Sequence, residues 1–233
     1  MMERYAAILT HSEHMRDEMH RHGLRADIVP YVVATCSPAP QTESTDHWRL
    51  LYAGRMESLK GGGYLIDALS DVARAAHKPV HVVMAGEGRE RSAWEARARV
   101  VQANTPSLSI TFTGWLMQSQ VEALMDQCDL LVMPSVWPEP FGSVGPAAGR
   151  HGVPAVAFDS GGIRTWLADG VTGHVAPDDP PTPQGLAAAI IRCLQDPAHH
   201  ATLRNGARQM SARFTMERHV PALMERLSAA AAR

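Results

Sequence analysis

Short apolar runs alternate along this chain with longer stretches whose apolar residues return every three or four positions. The first kind marks strands buried on both faces, the second helices that bury one stripe. From Trp48 onward the two kinds take turns. Residues 48–54 predict a strand, followed by a glycine-rich turn and a helix over 64–76. Residues 81–85 predict a second strand, ended by Gly86-Glu87-Gly88, and a charged helix follows through about Val101. Residues 108–113 alternate and stop at Gly114, and a helix over 119–127 leads into the apolar run 130–133. A small-residue helix through His151 precedes the run 154–158 and a Ser-Gly-Gly turn at 160–162. From Thr182 the period is helical: Leu186, Ile190, Ile191 and Leu194, then Leu203 and Met210, then Val220, Leu223, Met224 and Leu227.

Strands separated by helical patterns of roughly ten to fifteen residues make βαβ units and a parallel sheet. Right-handed crossovers then put helices on both faces. The predicted fold is α/β, a Rossmann-like open, mostly parallel sheet with a helical C-terminus. Its strands all end on one edge, where Gly54, Gly86, Gly114, Ser135 and Asp159 lie, and that edge is where open α/β sheets bind ligands. Ahead of this region, residues 5–9 predict a short strand, Ser12 caps a helix ending at Gly23, and 27–33 are extended. Residues 37–46 have a linker composition. The expected organisation is a small unit plus linker over 1–46, the sheet domain over 47–205 and a helical segment over 206–233.

Composition narrows the function classes. Of 233 residues, 45% are apolar and 20% charged, ordinary for a soluble globular protein. A net charge of −2 and no basic cluster longer than a dipeptide leave no electrostatic footprint for nucleic acid. Three widely spaced cysteines, Cys36, Cys128 and Cys193, suit a reducing compartment without a disulfide framework or zinc site. Among the twelve histidines, His11/His14 and His20/His22 fall in a polar stretch and His199-His200 at a helix start; they read as solvated surface residues, and no metal is assigned. No run approaches the ~18 apolar residues of a membrane span. A cytoplasmic location is expected.

Two loops on the sheet edge carry candidate chemistry. Gly54-Arg55 and Lys60-Gly61-Gly62-Gly63 share one strand-to-helix connection. Arginine offers a planar fork for phosphate oxygens and lysine a mobile point charge, while glycine lets backbone approach a bulky anion. Taken alone, the pattern equally fits a solvated lysine and an arginine paired with Glu57. The second loop is Pro138-Glu139-Pro140-Phe141-Gly142-Ser143-Val144-Gly145-Pro146-Ala147. Pro146 fits only a first helical turn, so the helix opens at Val144 with Ser143 as its N-cap and free N–H groups beside Glu139. From Gly142 to Phe158 there is no Asp or Glu.

Together these segments resemble the retaining GT-B glycosyltransferases, from about Trp48 to the C-terminus. The second loop resembles their E-x7-E signature, with Glu139 at the first glutamate and Ala147 where the second stands. Gly54-Arg55 to Lys60-Gly61 matches their G-R-x4-K-G segment, residues 84–88 resemble their small-residue turn, and Phe112-Thr-Gly-Trp115-Leu116 resembles the segment lining the base. Residues 8–12 and 15–23 look like the last strand–helix unit of the family's first domain. The resemblance implies that Arg55 and Lys60 grip a diphosphate and Glu139 orients the sugar. It further implies nucleotide-sugar contacts from Gly54, Gly86, Trp115, Leu116, Phe141, Gly142, Ser143 and Val144, with a nucleoside-diphosphate sugar as co-substrate and no cofactor or metal. In the family the second glutamate holds the ribose hydroxyls. Each hydrogen bond to such a charged group is worth ~1.5–3 kcal/mol, so Ala147 weakens donor binding unless another group takes over.

The expected activity is retaining sugar transfer to an acceptor hydroxyl. The alternative is a non-catalytic nucleotide-sugar-binding or interaction module. The acceptor pocket belongs to the family's first domain, expected here as a separate partner. The doubled methionine at the start fits a fragment, a split gene or an expression product, and this chain alone is expected to be inactive. Ile8, Leu9, Leu223 and Leu227 are expected to lie exposed, unless a homo-oligomer or packing of the two termini covers them.

Overall fold

Residues 5–33 and 46–232 are described by the computed structural model. The chain opens with a parallel pair, β1 (Leu9–Thr10) and β2 (Asp27–Ile28), on either side of α1 (Glu13–Arg21). The Ser12 hydroxyl accepts from Met15 N at 3.2 Å and caps α1 as expected. Both strands are shorter than their apolar runs, and Pro30, having no N–H to give, lies just past the end of β2. Most of the proposed linker, with Cys36, lies outside the described residues.

Six strands then form one sheet: β3 (Trp48–Ala53), β4 (Val80–Ala85), β5 (Leu108–Gly114), β6 (Leu130–Met133), β7 (Ala155–Phe158) and β8 (Gly173–Ala176). Their spatial order is β5-β4-β3-β6-β7-β8, and every pairing is parallel. The chain thus starts in the middle, winds out to one edge, and returns to wind out to the other. The switch falls between β3 and β6, and a crevice opens there because the connections leave in opposite directions.

Neighbouring leucines show how the two faces are filled. Leu50 of β3 and Leu130 of β6 face one core with α2 (Gly62–Ala75), α3 (Arg91–Ala103) and α6 (Pro183–Leu194), through Leu65, Leu69, Trp94 and Ile190. Leu51 and Leu131, one residue on, face the other core with α4 (Gln118–Gln127) and α5 (Val144–Arg150), through Met125 and Ala148. Two further helices, α7 (Pro197–Ser211) and α8 (Met216–Ala231), complete the chain. Thr182 and Asp196 cap α6 and α7, each followed by a proline in the first turn.

One strand has no apolar run to announce it, and two expectations about histidines need correction. The strand is β8; Gly173 lets its backbone pass Ala155, where a Cβ would lie 1.8 Å from the Ala155 carbonyl oxygen. His200 is not solvated: it is buried, its ring nitrogen Nε2 lies 2.9 Å from the Asp129 carbonyl, and it meets Trp48 edge-on. His11 is half-buried, packing edge-on against Tyr31 with Nδ1 3.0 Å from the Val29 carbonyl. The two termini do meet, through His219 Nδ1 at 2.6 Å from the Pro30 carbonyl and Val33 N at 3.1 Å from that of Phe214. Ile8, Leu9 and Leu223 are half-buried, whereas Leu227 is exposed beside Val220 and Met224.

Candidate functional site

The loops after β3 and β6 are knitted together before any ligand is considered. Leu59, in the short 3-10 turn Ser58–Lys60, offers its carbonyl to Val136 N at 3.0 Å and to the Ser135 hydroxyl at 3.2 Å. Gly61 follows at φ 70°, and a Cβ there would stand 1.7 Å from the Pro134 carbonyl oxygen, so only glycine lets the loops approach this closely. Lys60 then reaches across to Glu139, Nζ to Oε1 at 2.5 Å, with both side chains largely buried. The turn after β7 fixes Glu139 from the far side, since Gly162 N donates to its carbonyl at 2.6 Å.

Arg55 does not pair with Glu57, which bonds Arg89 at 2.7 Å instead. It is left exposed at the junction of two cavities. One, of about 400 Å³, is lined by Lys60, Glu139, Tyr52, His11, Phe141 and Gly142. The other, of about 560 Å³, runs between α4 and α5, past Gly86, Trp115, Leu116, Ala147 and Arg150. Both include Gly54, Arg55, Ser143 and Val144, so they form one continuous crevice at the switch point. Arg55, Lys60 and Glu139, read separately from the sequence, surround its smaller half.

The nucleotide-sugar residues divide by role. Trp115 is a rim residue, 72% exposed, and Leu116 is half-buried below it. Gly86 answers to the backbone, because a Cβ would lie 1.9 Å from the Gly54 carbonyl oxygen. Gly54 itself has only the Tyr52 hydroxyl nearby, at 3.6 Å. Phe141 is buried between Tyr31, stacked at 4.6 Å, and Phe214, edge-on at 5.3 Å, while its carbonyl accepts from Trp166 Nε1 at 2.6 Å. Ser143 departs from expectation. Its φ of −56° and ψ of −22° are already helical and its hydroxyl makes no cap bond, while the residue lines the crevice. Helix α5 spans only seven residues, which limits what its dipole can contribute.

Sequence reasoning missed Tyr52, which donates its hydroxyl hydrogen to the Arg55 carbonyl at 2.7 Å and so holds the Arg55 backbone in place. Burial first, and then the Glu139 carboxylate, push its phenol well above the usual range. Arg150 and His151 were missed too, although a helix carries residues three and four beyond Ala147 to the same face. Among the described residues no group of three or more His, Cys, Asp or Glu gathers as a metal site would require.

A doubly wound parallel sheet, with two cations, a carboxylate and a crevice at its switch point, defines an α/β protein with a candidate ligand site at the sheet edge. Comparison with known proteins narrows that class. Residues 37–210 match the family described as Glycosyl transferases group 1, and the chain belongs to that family. It is 37% identical over 165 residues to a glycogen synthase of Mycobacterium tuberculosis, covering 69% of this chain and 37% of that protein. To a D-inositol 3-phosphate glycosyltransferase of Jonesia denitrificans it is 32% identical over 173 residues, covering 72% of this chain and 40% of the relative. In structure it resembles Anabaena HepE in complex with UDP, with a TM-score of 0.82 at 24% identity over 96% of this chain and 64% of the other. Sucrose-phosphate synthase of Thermosynechococcus elongatus gives 0.75 at 25% identity over 96% and 59%. The chain spans well under half the length of these two curated relatives.

Proposed function

We propose that this chain is the donor-binding part of a glycosyltransferase that moves a sugar from a nucleoside diphosphate to an acceptor hydroxyl with retention. The observation that carries the reading is the convergence of Arg55, Lys60 and Glu139 on one cavity at the switch point, continuous with a second cavity large enough for a nucleoside. The fold relatives support it, since HepE is a UDP complex. Arg55 and Lys60 neutralise the charge that grows on the departing diphosphate, a role metal ions fill in other transferases. Glu139 orients the sugar hydroxyls. Glu139 holds Lys60 in place, so the ammonium assigned to the diphosphate already stands beside the carboxylate assigned to the sugar.

Calorimetry with a nucleoside diphosphate and its bare nucleoside tests this assignment. Lys60→Ala and Arg55→Ala should each weaken the diphosphate about tenfold or more, because each removes a charge-assisted contact, and leave the nucleoside within about twofold. Equal losses for both ligands, or none, would make the cations surface residues. In this reading the chain by itself binds donor without multiple turnover, since transfer needs donor and acceptor enclosed together. Ala147 favours a second reading, a binding module without transfer, and robust turnover by any assembly containing this chain would exclude it.

A further inference from the structure

Two guanidinium groups line the larger cavity, and they are held differently. Arg55 is exposed at its mouth. Arg150 is half-buried on the α5 face one turn after Ala147, and its Nε is buried with no hydrogen-bond partner among the described residues. The acids and the histidine lining that cavity have partners: Glu87 bonds Arg91, Glu122 accepts from Gln118 Nε2 at 2.9 Å, and His151 meets Asp126 at 2.6 Å. At longer range Arg150 acts on the exposed Glu217 at the start of α8. That carboxyl is held below its ordinary value first by hydrogen bonds from its own backbone and Thr215, and then by Arg150. A cation in the last turn of a helix suits the helix dipole. The dipole gives no reason for the Nε to be buried unmet, which is costly, or for this side chain to line the cavity.

We propose that Arg150 is a specificity-determining residue of this crevice: it reads the ribose of the bound nucleotide by donating to its oxygens. The subsite then takes hydrogen-bond acceptors and negative charge, where a carboxylate would take hydroxyl donors. This rests on the donor-site reading above. A diphosphate at Arg55 and Lys60 sits where the two cavities join, so the nucleoside enters the larger one and runs along α5. There Ala147 presents only a methyl group, and the sequence offers no carboxylate from Gly142 to Phe158. A ribose oxygen beside α5 therefore meets Arg150. Dinucleotide-binding sheets make the same exchange, with an acidic side chain for a free ribose hydroxyl and an arginine where that hydroxyl carries phosphate. The guanidinium fork matches two phosphate oxygens at once.

The test titrates UDP, ADP and GDP into the protein by calorimetry, then the 2′- and 3′-phosphorylated forms of whichever binds. At least one phosphorylated form should bind about tenfold or more tighter than its parent. Arg150→Gln should cut that gain below about threefold, while Arg150→Lys keeps part of it by retaining charge without the fork. Inorganic pyrophosphate should bind all three proteins alike, because it occupies the Arg55–Lys60 end. Melting curves separate loss of fold from loss of contact, and Arg150→Lys carries the test if Arg150→Gln does not fold. A wild-type gain below about tenfold, or one that survives Arg150→Gln, would overturn the role of Arg150 and leave the crevice a nucleotide site. Weaker binding of both phosphorylated forms would do the same and assign the ribose to Glu122 on the opposite wall. If none of the three diphosphates binds, the donor reading fails and this inference with it.

Discussion

Two glycines at the ends of the same loop show how differently one residue type can be used. Gly61, at φ 70° and pressed against the Pro134 carbonyl, is demanded by the backbone; Gly54, with no atom nearer than 3.6 Å to its missing Cβ, is not. Gly61→Ala should therefore lose about 2 kcal/mol or more of stability in urea unfolding, from the left-handed backbone and the clash together. Gly54→Ala should stay within about 1 kcal/mol of the parent. Because Gly54 lines the junction of both cavities, the same substitution should still weaken a nucleoside diphosphate. A stable Gly61→Ala, or a Gly54→Ala that binds normally, would contradict this division. The sequence shows both as members of one glycine-rich turn. Their difference arises from what crosses them in space, and only the fold supplies that.

At the scale of elements, strands that pair deep in the sheet were legible because each holds an apolar run of four, Leu50 to Ala53 in β3, Val82 to Ala85 in β4 and Leu130 to Met133 in β6. The failures are elements whose identity comes from neighbours. Strand β8 contains a glycine and a histidine and exists because β7 offers it a ladder. His200, at the start of α7, looked solvated because Asp-Pro precedes it, yet the helix turns it onto Asp129 and Trp48. Burial holds both His174 and His200 below the ordinary histidine value, despite hydrogen bonds to Asp169 and the Asp129 carbonyl that work the other way. Their folded pKa values are thus depressed relative to about 6.5 in the unfolded chain, so protonation favours unfolding. Stability should be full above about pH 6.5 and decline as the pH falls below it. Urea midpoints at neutral and mildly acidic pH check this, with His200→Gln expected to flatten the dependence; an unchanged slope would mean the imidazole is reached by water. Asp169 takes effect only at much lower pH. Partial burial opposes its charge, but bonds from Val175 N, Arg192 and His174 outweigh it and hold the group down to about 2.

Across the whole molecule, alternation of strand and helix predicted the doubly wound sheet, and the sheet edge gathered Arg55, Lys60 and Glu139 from positions far apart in the chain. What the alternation did not contain was the place of residues 5–33. They lie against the crevice itself: the Ser12 hydroxyl donates to the Pro140 carbonyl at 2.5 Å, and Tyr31 stacks on Phe141. A single serine in a polar stretch and a single tyrosine in a short apolar run carry no periodic signal, so contacts of this kind are invisible to pattern reading. Their effect is to tie the loop holding Glu139 to the first elements of the chain.

The uneven placement of the tryptophans gives the crevice its own optical readout. Trp48, Trp94 and Trp166 are buried, whereas Trp115 stands 72% exposed on the rim of the larger cavity and Trp137, near Glu139 in sequence, is 49% exposed. Emission from the resting protein should therefore contain a red-shifted part, open to collisional quenching by acrylamide, on top of a shielded blue part. A nucleotide filling the larger cavity covers Trp115 and leaves Trp137 in water. The accessible fraction should then fall on titration without vanishing, and Trp115→Phe should abolish the change. Quenching that stays constant while calorimetry reports binding would place the base away from Trp115.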